Sequence, residues 1–347
     1  MIRSRGRPAG DPPKVGAVVA RMTARIAQGT YLTLPLPTEH DLAVDMQVSY
    51  LTARRAVAQL VEKGLLRRAP RGRLELATKS DAGSRSLQVA FAVVSWNSFD
   101  VLRWYRALGE AAGKASRPVA ITTAIIHGWD DPLLASLAAK ADGVVVYPGN
   151  WDRTRLSALL SQARAQLIAV DRDCSDSGLV SLCPCPAEGM DALLDHLWAR
   201  GHRRIACVGA VPGNDVEAAR SARYAAWCCA RGINAQRIAN DRACVTSFML
   251  GSERPTAIIA IAVADALTTV RVAHEHRVAV PEQLAVAVVN DEGLGEVVVP
   301  SLTSLAIPDL STDLGRALDW FGGGAQPWPA SPGIVSGILT VAQRESG

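Results

Sequence analysis

Apolar residues recur at helical spacing through the first sixty positions and then gather into short runs. Val15, Val18, Val19, Met22 and Ile26 return at three- and four-residue steps, which predicts a helix over 14–28 with Gly29 as its stop. Thr38, with Asp41 three residues on, has the form of an N-cap opening a second helix. Ser49 caps a third, whose stripe of Ala53, Ala56, Val57 and Leu60 runs to Lys63 and ends at Gly64. Two short strands, 65–68 and 73–77, flank the turn Ala69-Pro70-Arg71-Gly72. Beyond 87 the texture changes. Strand-like runs at 87–94, 119–126, 143–147, 167–170, 205–208, 257–261 and 284–289 alternate with helical stretches at 99–115, 188–199, 215–230 and 265–275. That rhythm predicts an α/β body of parallel sheets with helices on both faces, and 261 residues suffice for two lobes. The expected organisation is a flexible basic tail (1–13), a three-helix-and-hairpin head (14–77), a small polar linker (78–86) and a two-lobed body (87–347).

Charge sharpens this division. The whole chain carries +4, which says little. Residues 1–86 hold 15 Lys+Arg against 7 Asp+Glu, a net +8, and residues 87–347 hold 22 against 26, a net −4. A basic head on a mildly acidic body suits a polyanion-binding unit joined to a separate cargo domain.

The head's elements fit a winged helix-turn-helix. The apolar stripe of the helix after Ser49 leaves Tyr50, Leu51, Arg54 and Arg55 on the opposite side, where the first turns of such a helix enter a major groove. Arg54 or Arg55 can pair with guanine or grip phosphate. The hairpin tip offers Arg71 and Arg73 around Gly72, with Arg67 and Arg68 extending the basic surface. These residues resemble the GntR family of bacterial regulators. The chain reads Ile26-Ala27-Gln28-Gly29-Thr30-Tyr31, then Leu36-Pro37-Thr38-Glu39-His40-Asp41-Leu42-Ala43. It continues Val48-Ser49-Tyr50-Leu51-Thr52-Ala53-Arg54-Arg55-Ala56 and Leu60-Val61-Glu62-Lys63-Gly64-Leu65. The resemblance implies DNA contacts from Thr38, His40, Ser49, Tyr50, Thr52, Arg54, Arg55, Arg71, Gly72 and Arg73. His40 and Tyr50 stand where the family usually has arginines, so the family's usual operator consensus does not carry over.

The body has its own signature. Gly201-His202-Arg203-Arg204-Ile205-Ala206, Arg254-Pro255-Thr256-Ala257-Ile258-Ile259-Ala260, Val280-Pro281-Glu282-Gln283-Leu284 and Val299-Pro300-Ser301-Leu302-Thr303 follow one another in an order similar to the effector domain of LacI-type repressors. A GntR-type head on such a body resembles the arabinose- and xylose-type regulators. The resemblance implies two Rossmann-like lobes of the periplasmic-binding-protein (type I) kind, joined by three crossovers expected near 183–188, 306–309 and 326–332. Ligand then sits between the lobes, at strand carboxyl ends. Matching positions nominate Asp171, Arg223 and Asn290 for effector binding, with Asp291 and Trp96 nearby. The chain departs from the pattern twice: Ala262 and Val263 occupy the place of an Asn-Asp pair, and Asn290 replaces an Asp. Each lost buried acceptor weakens polyol binding by about 1–3 kcal/mol. An ordinary monosaccharide, a different ligand and no ligand all remain open.

Other chemistry is poorly supported. Cys183-Pro184-Cys185 and Cys228-Cys229 lack zinc-site spacing, and seven cysteines suit small buried apolar side chains in a reducing cytoplasm. No phosphate loop, dinucleotide fingerprint or nucleophile elbow occurs. No cofactor, metal or enzymatic activity is expected. No apolar run reaches the ~18 residues that a membrane span needs. The expectation is a cytoplasmic, homodimeric regulator, a repressor whose affinity for a double-stranded DNA operator responds to a small carbohydrate-like ligand. The alternative is a constitutive DNA-binding factor with an altered or decayed effector site.

Overall fold

The computed structural model describes residues 13–77, 86–95, 98–209, 214–328, 334–335 and 340–347. Nearly all of the expected tail and of the expected linker lies outside them, Pro13 and Ser86 being described.

Four helices and a hairpin form the head: α1 (Pro13–Ala27), α2 (Thr30–Thr33), α3 (Glu39–Asp45), α4 (Tyr50–Glu62), β1 (Leu66–Arg68) and β2 (Leu74–Leu76). The apolar stripe of α1 meets that of α4 in one cluster, with Val15, Met22 and Ile26 against Ala53, Ala56 and Leu60, all buried. β1 and β2 pair antiparallel, placing Arg67 opposite Glu75.

The first lobe runs β3 (Leu87–Val93), α5 (Phe99–Lys114), β4 (Val119–Ile125), α6 (Pro132–Lys140), β5 (Gly143–Tyr147), α7 (Leu156–Gln162), β6 (Gln166–Val170) and β7 (Val180–Leu182). The second runs α8 (Gly189–Ala199), β8 (Ile205–Val208), α9 (Asp215–Ala230), β9 (Gln236–Ile238), α10 (Arg242–Leu250), β10 (Ala257–Ala260), α11 (Val263–Glu275), β11 (Ala285–Val288) and β12 (Thr303–Leu305). Then α12 (Leu310–Phe321) and β13 (Ile334–Val335) return to the first lobe, and β14 (Val341–Ala342) closes the second.

Sheet order is β4-β3-β5-β6-β7-β13 in lobe 1 and β9-β8-β10-β11-β12-β14 in lobe 2. The two lobes thus repeat one topology, all parallel except β14 against β12. The inner strands of each sheet are buried on both faces, so β3, β5, β8, β10 and β11 read as largely apolar runs. In lobe 1, Phe91, Trp104 and Phe321 pack one face and Ala90, Ile126 and Leu134 the other. Each such large side chain contributes roughly 1.5–3 kcal/mol by leaving water.

Two crossovers fall where expected, between β7 and α8 (183–188) and between β12 and α12 (306–309). The third does not. β13 pairs with β7, so the chain is still in lobe 1 at 334–335. β14 pairs with β12, so the chain returns to lobe 2 only after β13.

The head docks on lobe 1. Gly29 stops α1 with φ +74°, a conformation that a side chain resists, and a Cβ there would lie 2.3 Å from Thr122 Oγ1. The turn lets α2 lie on α6 and β4. Leu32 is thereby fully buried within the lobe 1 cluster of Ala90, Ala92, Ile126 and Leu137. Thr122 Oγ1 donates to the Gly29 carbonyl at 3.4 Å, and Lys140 Nζ to the Leu32 carbonyl at 3.5 Å.

All seven cysteines are free thiols, and five are buried. Burial pushes Cys185 and Cys207 up to about 12, so they are inert at neutral pH.

Candidate functional site

The head presents its reading elements on capped helix starts. Thr38 Oγ1 accepts from the Asp41 N–H (3.2 Å) while the Asp41 carboxylate accepts from the Thr38 N–H (3.1 Å), a reciprocal capping box. Ser49 Oγ accepts from the Thr52 N–H (3.2 Å) and lies 2.8 Å from the Thr52 hydroxyl. The hydroxyls of Thr38, Ser49 and Thr52 therefore set the two helix starts. Tyr50, Arg54 and Arg55 stand exposed on the side of α4 away from its buried stripe. His40 is exposed at the start of α3. Gly72, with φ +79°, forms the wing tip beside exposed Arg73; the side chain of Arg71 lies outside the described residues.

One organising residue escapes a reading of the sequence. Glu39 accepts from the Tyr50 hydroxyl (2.9 Å) and from Arg68 (2.6 Å), tying α3, α4 and the hairpin together. Arg68 holds the Glu39 carboxyl below its usual value. Arg68 is therefore engaged within the head, and Arg67 pairs with Glu75 across the hairpin. Glu39 sits in the Leu-Pro-Thr-Glu motif, but its bonds join segments that spacing alone does not bring together.

In the body, residues following the carboxyl ends of β3, β6 and β11 approach one another between the lobes. Asn290, buried after β11, donates to Asp100 Oδ2 (2.5 Å) and accepts from Arg103 (3.0 Å), both on α5 of the other lobe. Arg103 also pairs with Asp100. Glu292 accepts from the Ser98 hydroxyl (3.1 Å) and the Phe99 N–H (3.0 Å), again across the lobes. Asp171, after β6 with φ +69°, accepts from the Tyr147 hydroxyl at 3.2 Å. Burial first, and then the charge of Asp171, push the Asp100 carboxyl up to about 8. Farther along the same gap, Asp215 of lobe 2 pairs with Arg153 (3.2 Å) and with Arg172 of lobe 1.

Two nominated residues point elsewhere. Arg223 is exposed and grips Asp191 at 2.5–3.0 Å. The buried side of α9 is Arg220, Tyr224 and Trp227, and Arg223 falls out of phase with it. Arg220 is the buried arginine, donating to the carbonyls of Ile261 (3.0 Å) and Cys185 (3.1 Å) and so tying the first crossover to lobe 2. Asp291 turns into lobe 2, accepting from Ser304 (2.7 Å) and Arg344 (3.2 Å). Trp96 lies outside the described residues. Ala262 and Val263 open α11, as the departure from the pattern implied, but Asp265 lies beneath the β8 end. It accepts from the Ala262 N–H (2.9 Å), and a Cβ on Gly209 would lie 2.3 Å from its carboxylate. Burial pushes Asp265 up to about 7.

Residues 14–75 match the family profile of bacterial regulatory proteins of the gntR family, and residues 194–317 match that of a periplasmic binding protein-like domain. The chain is a GntR-type head on a periplasmic-binding-protein-like body. Three solved structures share the body's fold. The Escherichia coli transcriptional repressor ascG is 18% identical, covers 75% of this chain and 99% of its own, and superposes with a TM-score of 0.61. A LacI family regulator from Arthrobacter sp. FB24, in complex with lactose, is 18% identical at TM-score 0.62, over 75% of this chain and 99% of its own. The lac repressor dimer bound to operator and the anti-inducer ONPF is 18% identical at TM-score 0.61, over 76% and 95%. Among curated proteins, none matches the sequence. Head and body together have the architecture of a DNA-binding transcription regulator with a ligand-binding domain. Among the described residues, no helix is long and apolar enough to cross a membrane.

Proposed function

We propose that the protein is a homodimeric transcriptional repressor whose affinity for a double-stranded DNA operator is set by a small carbohydrate-like ligand held between the lobes. The carrying observation is the polar network of Asp100, Arg103 and Asn290, which joins the lobes at strand carboxyl ends where open α/β sheets bind ligands. A ligand that displaces or completes these bonds biases the lobe angle, and the head attached to lobe 1 moves with it. The lactose complex of one structural relative and the operator complex of another support the two ends of this linkage.

An apolar face supports the dimer. Phe99, Leu102 and Tyr105 stand exposed along α5, and the Phe99 N–H bonds Glu292, whose loop continues to exposed Val297 and Val299. A second copy seated there touches both lobes, so a change in lobe angle changes the separation of the heads. Two heads then read half-sites about one helical turn apart, or a multiple of it.

An electrophoretic shift with DNA from upstream of the gene tests the operator, and calorimetry with a pentose and hexose panel tests the effector. Absence of any specific shift at low salt overturns the regulator. A second reading has its own support: the groups that would hold a sugar already bond one another across the lobes. Operator binding that no sugar alters would favour a constitutive factor.

A further inference from the structure

A groove of about 1230 Å³ separates the head from lobe 1. Its head wall includes His40, Tyr50 and the wing residue Arg73, and its body wall includes Lys140 at the end of α6 and Arg164 after α7. The head wall is drawn from the surface that the helix-turn-helix pattern turns toward DNA. The body wall is held opposite it by Leu32, buried in the lobe 1 core, and by Lys140 itself, bonded to the Leu32 carbonyl.

The two walls are alike in charge. Arg67 and Arg68 are neutralised by Glu75 and Glu39. None of the ion pairs among the described residues involves Arg73, Lys140 or Arg164. Burial and the nearby charge of Arg73 both hold the Lys140 ammonium below its usual pKa. A contact surface meant to close the head against the body would oppose the basic wing with acids, and the body has a surplus of them. It opposes Arg73 with Lys140 and Arg164 instead, and the carboxylate that lines the same wall, Asp142, is buried and accepts from the Gln88 N–H at 2.8 Å. Facing cations of this kind are relieved by an anion between them.

We propose that lobe 1 is part of the DNA-binding surface, with Lys140 and Arg164 contacting backbone phosphates beside the wing residue Arg73. The inference rests on the DNA-binding reading of the head and extends it to the body. Contacts of this type add affinity on any sequence and carry no base information.

The test uses the full-length protein and a mixed-sequence duplex of ~30 base pairs, with binding followed by fluorescence anisotropy at several salt concentrations. Arg164→Gln should weaken binding and flatten the slope of log K against log salt by ~0.9, and Lys140→Gln with Arg164→Gln by about twice that. Arg164 is exposed, so its variant should melt with the wild type. Leu32→Ala, which loosens the body wall while keeping both cations and the backbone carbonyl that Lys140 bonds, should flatten the slope in the same direction. If the wild type binds with a steep slope and Arg164→Gln and the double variant bind as it does, or more tightly, the body takes no part and the proposal is overturned while DNA binding by the head stands. If the wild type binds no duplex at any salt concentration, both the DNA-binding reading and this extension of it are overturned.

Discussion

Replacing Asp100 by Asn should remove a proton from the stability of the closed body. Asp100 is 3% exposed, bonded by Asn290 and Arg103, and faces the negative charges of Asp171 and Glu292. Its carboxyl, ordinarily near 3.8, stands at about 8 in this setting, with burial as the largest cause. A carboxyl whose folded pKa is raised binds more protons folded than unfolded. Its favourable share is therefore complete below the ordinary value and is lost steadily as pH rises toward about 8. The loss is ~1.4 kcal/mol per pH unit, so between about pH 5 and pH 7 the wild type gives up ~2.7 kcal/mol through this group. Asn keeps the size and can still bond, but does not titrate. Asp265, raised to about 7 by burial, titrates with the same sign in both proteins and cancels in the difference. Urea unfolding of wild type and Asp100→Asn at a series of pH values reads it directly. The wild type should lose stability relative to the variant as pH rises, with a slope near one proton. Parallel pH profiles for the two proteins would refute the reasoning, because Asp100 would then be ionised in the closed body as it is in the open chain.

Three further changes bear on the head. Arg54→Ala should cost about 1–3 kcal/mol in operator binding, seen as a rise in Kd of roughly five- to 150-fold by anisotropy, while unfolding midpoints stay put because the side chain is exposed. Ser49→Ala removes the cap that accepts from the Thr52 N–H and should destabilise the head by about 0.5–2 kcal/mol, read as a lower melting temperature. Leu32→Ala deletes buried carbon from the joint between head and lobe 1, at ~0.8 kcal/mol per methylene and so ~2–3 kcal/mol of docking. Limited proteolysis should then cut near residues 78–86 faster than in the wild type, and equal rates would show that Leu32 does not hold the joint.

The head was largely legible because its signals are local. Thr38 with Asp41, and Ser49 ahead of the Ala53–Leu60 stripe, fix helix starts through bonds three residues apart, and those bonds are present. The long buried strands of the body were legible as runs of four or more apolar residues. Strands such as Gln236–Ile238 and Val180–Leu182 were not, because three residues carry no period. The third crossover was misplaced because its position came from the family resemblance alone, whereas the two-residue β13, too short to carry a period, pairs with β7 and holds 334–335 in lobe 1. Site residues were least legible where a helix's phase decides. On α9, Arg220 and Arg223 are three residues apart, and only the packing of Tyr224 and Trp227 turns the first inward and leaves the second to Asp191.

The joint at Gly29 and Leu32 changes how a signal would reach DNA. A head joined to its body by a flexible linker alone would pass on position but not orientation. Here the turn at Gly29 sends α2 onto α6 and β4, and Leu32 enters the core beneath the sheet whose strand ends supply Asp171 and Tyr147. The reading helix is thus fixed to α1, α1 to lobe 1, and lobe 1 to lobe 2 through Asp100, Asn290 and Glu292. Each link is short, packed or hydrogen-bonded. A ligand that breaks the Asn290–Asp100 bond acts on the angle between the lobes. Because the head is held to one lobe, a change in that angle also turns the head relative to the other lobe.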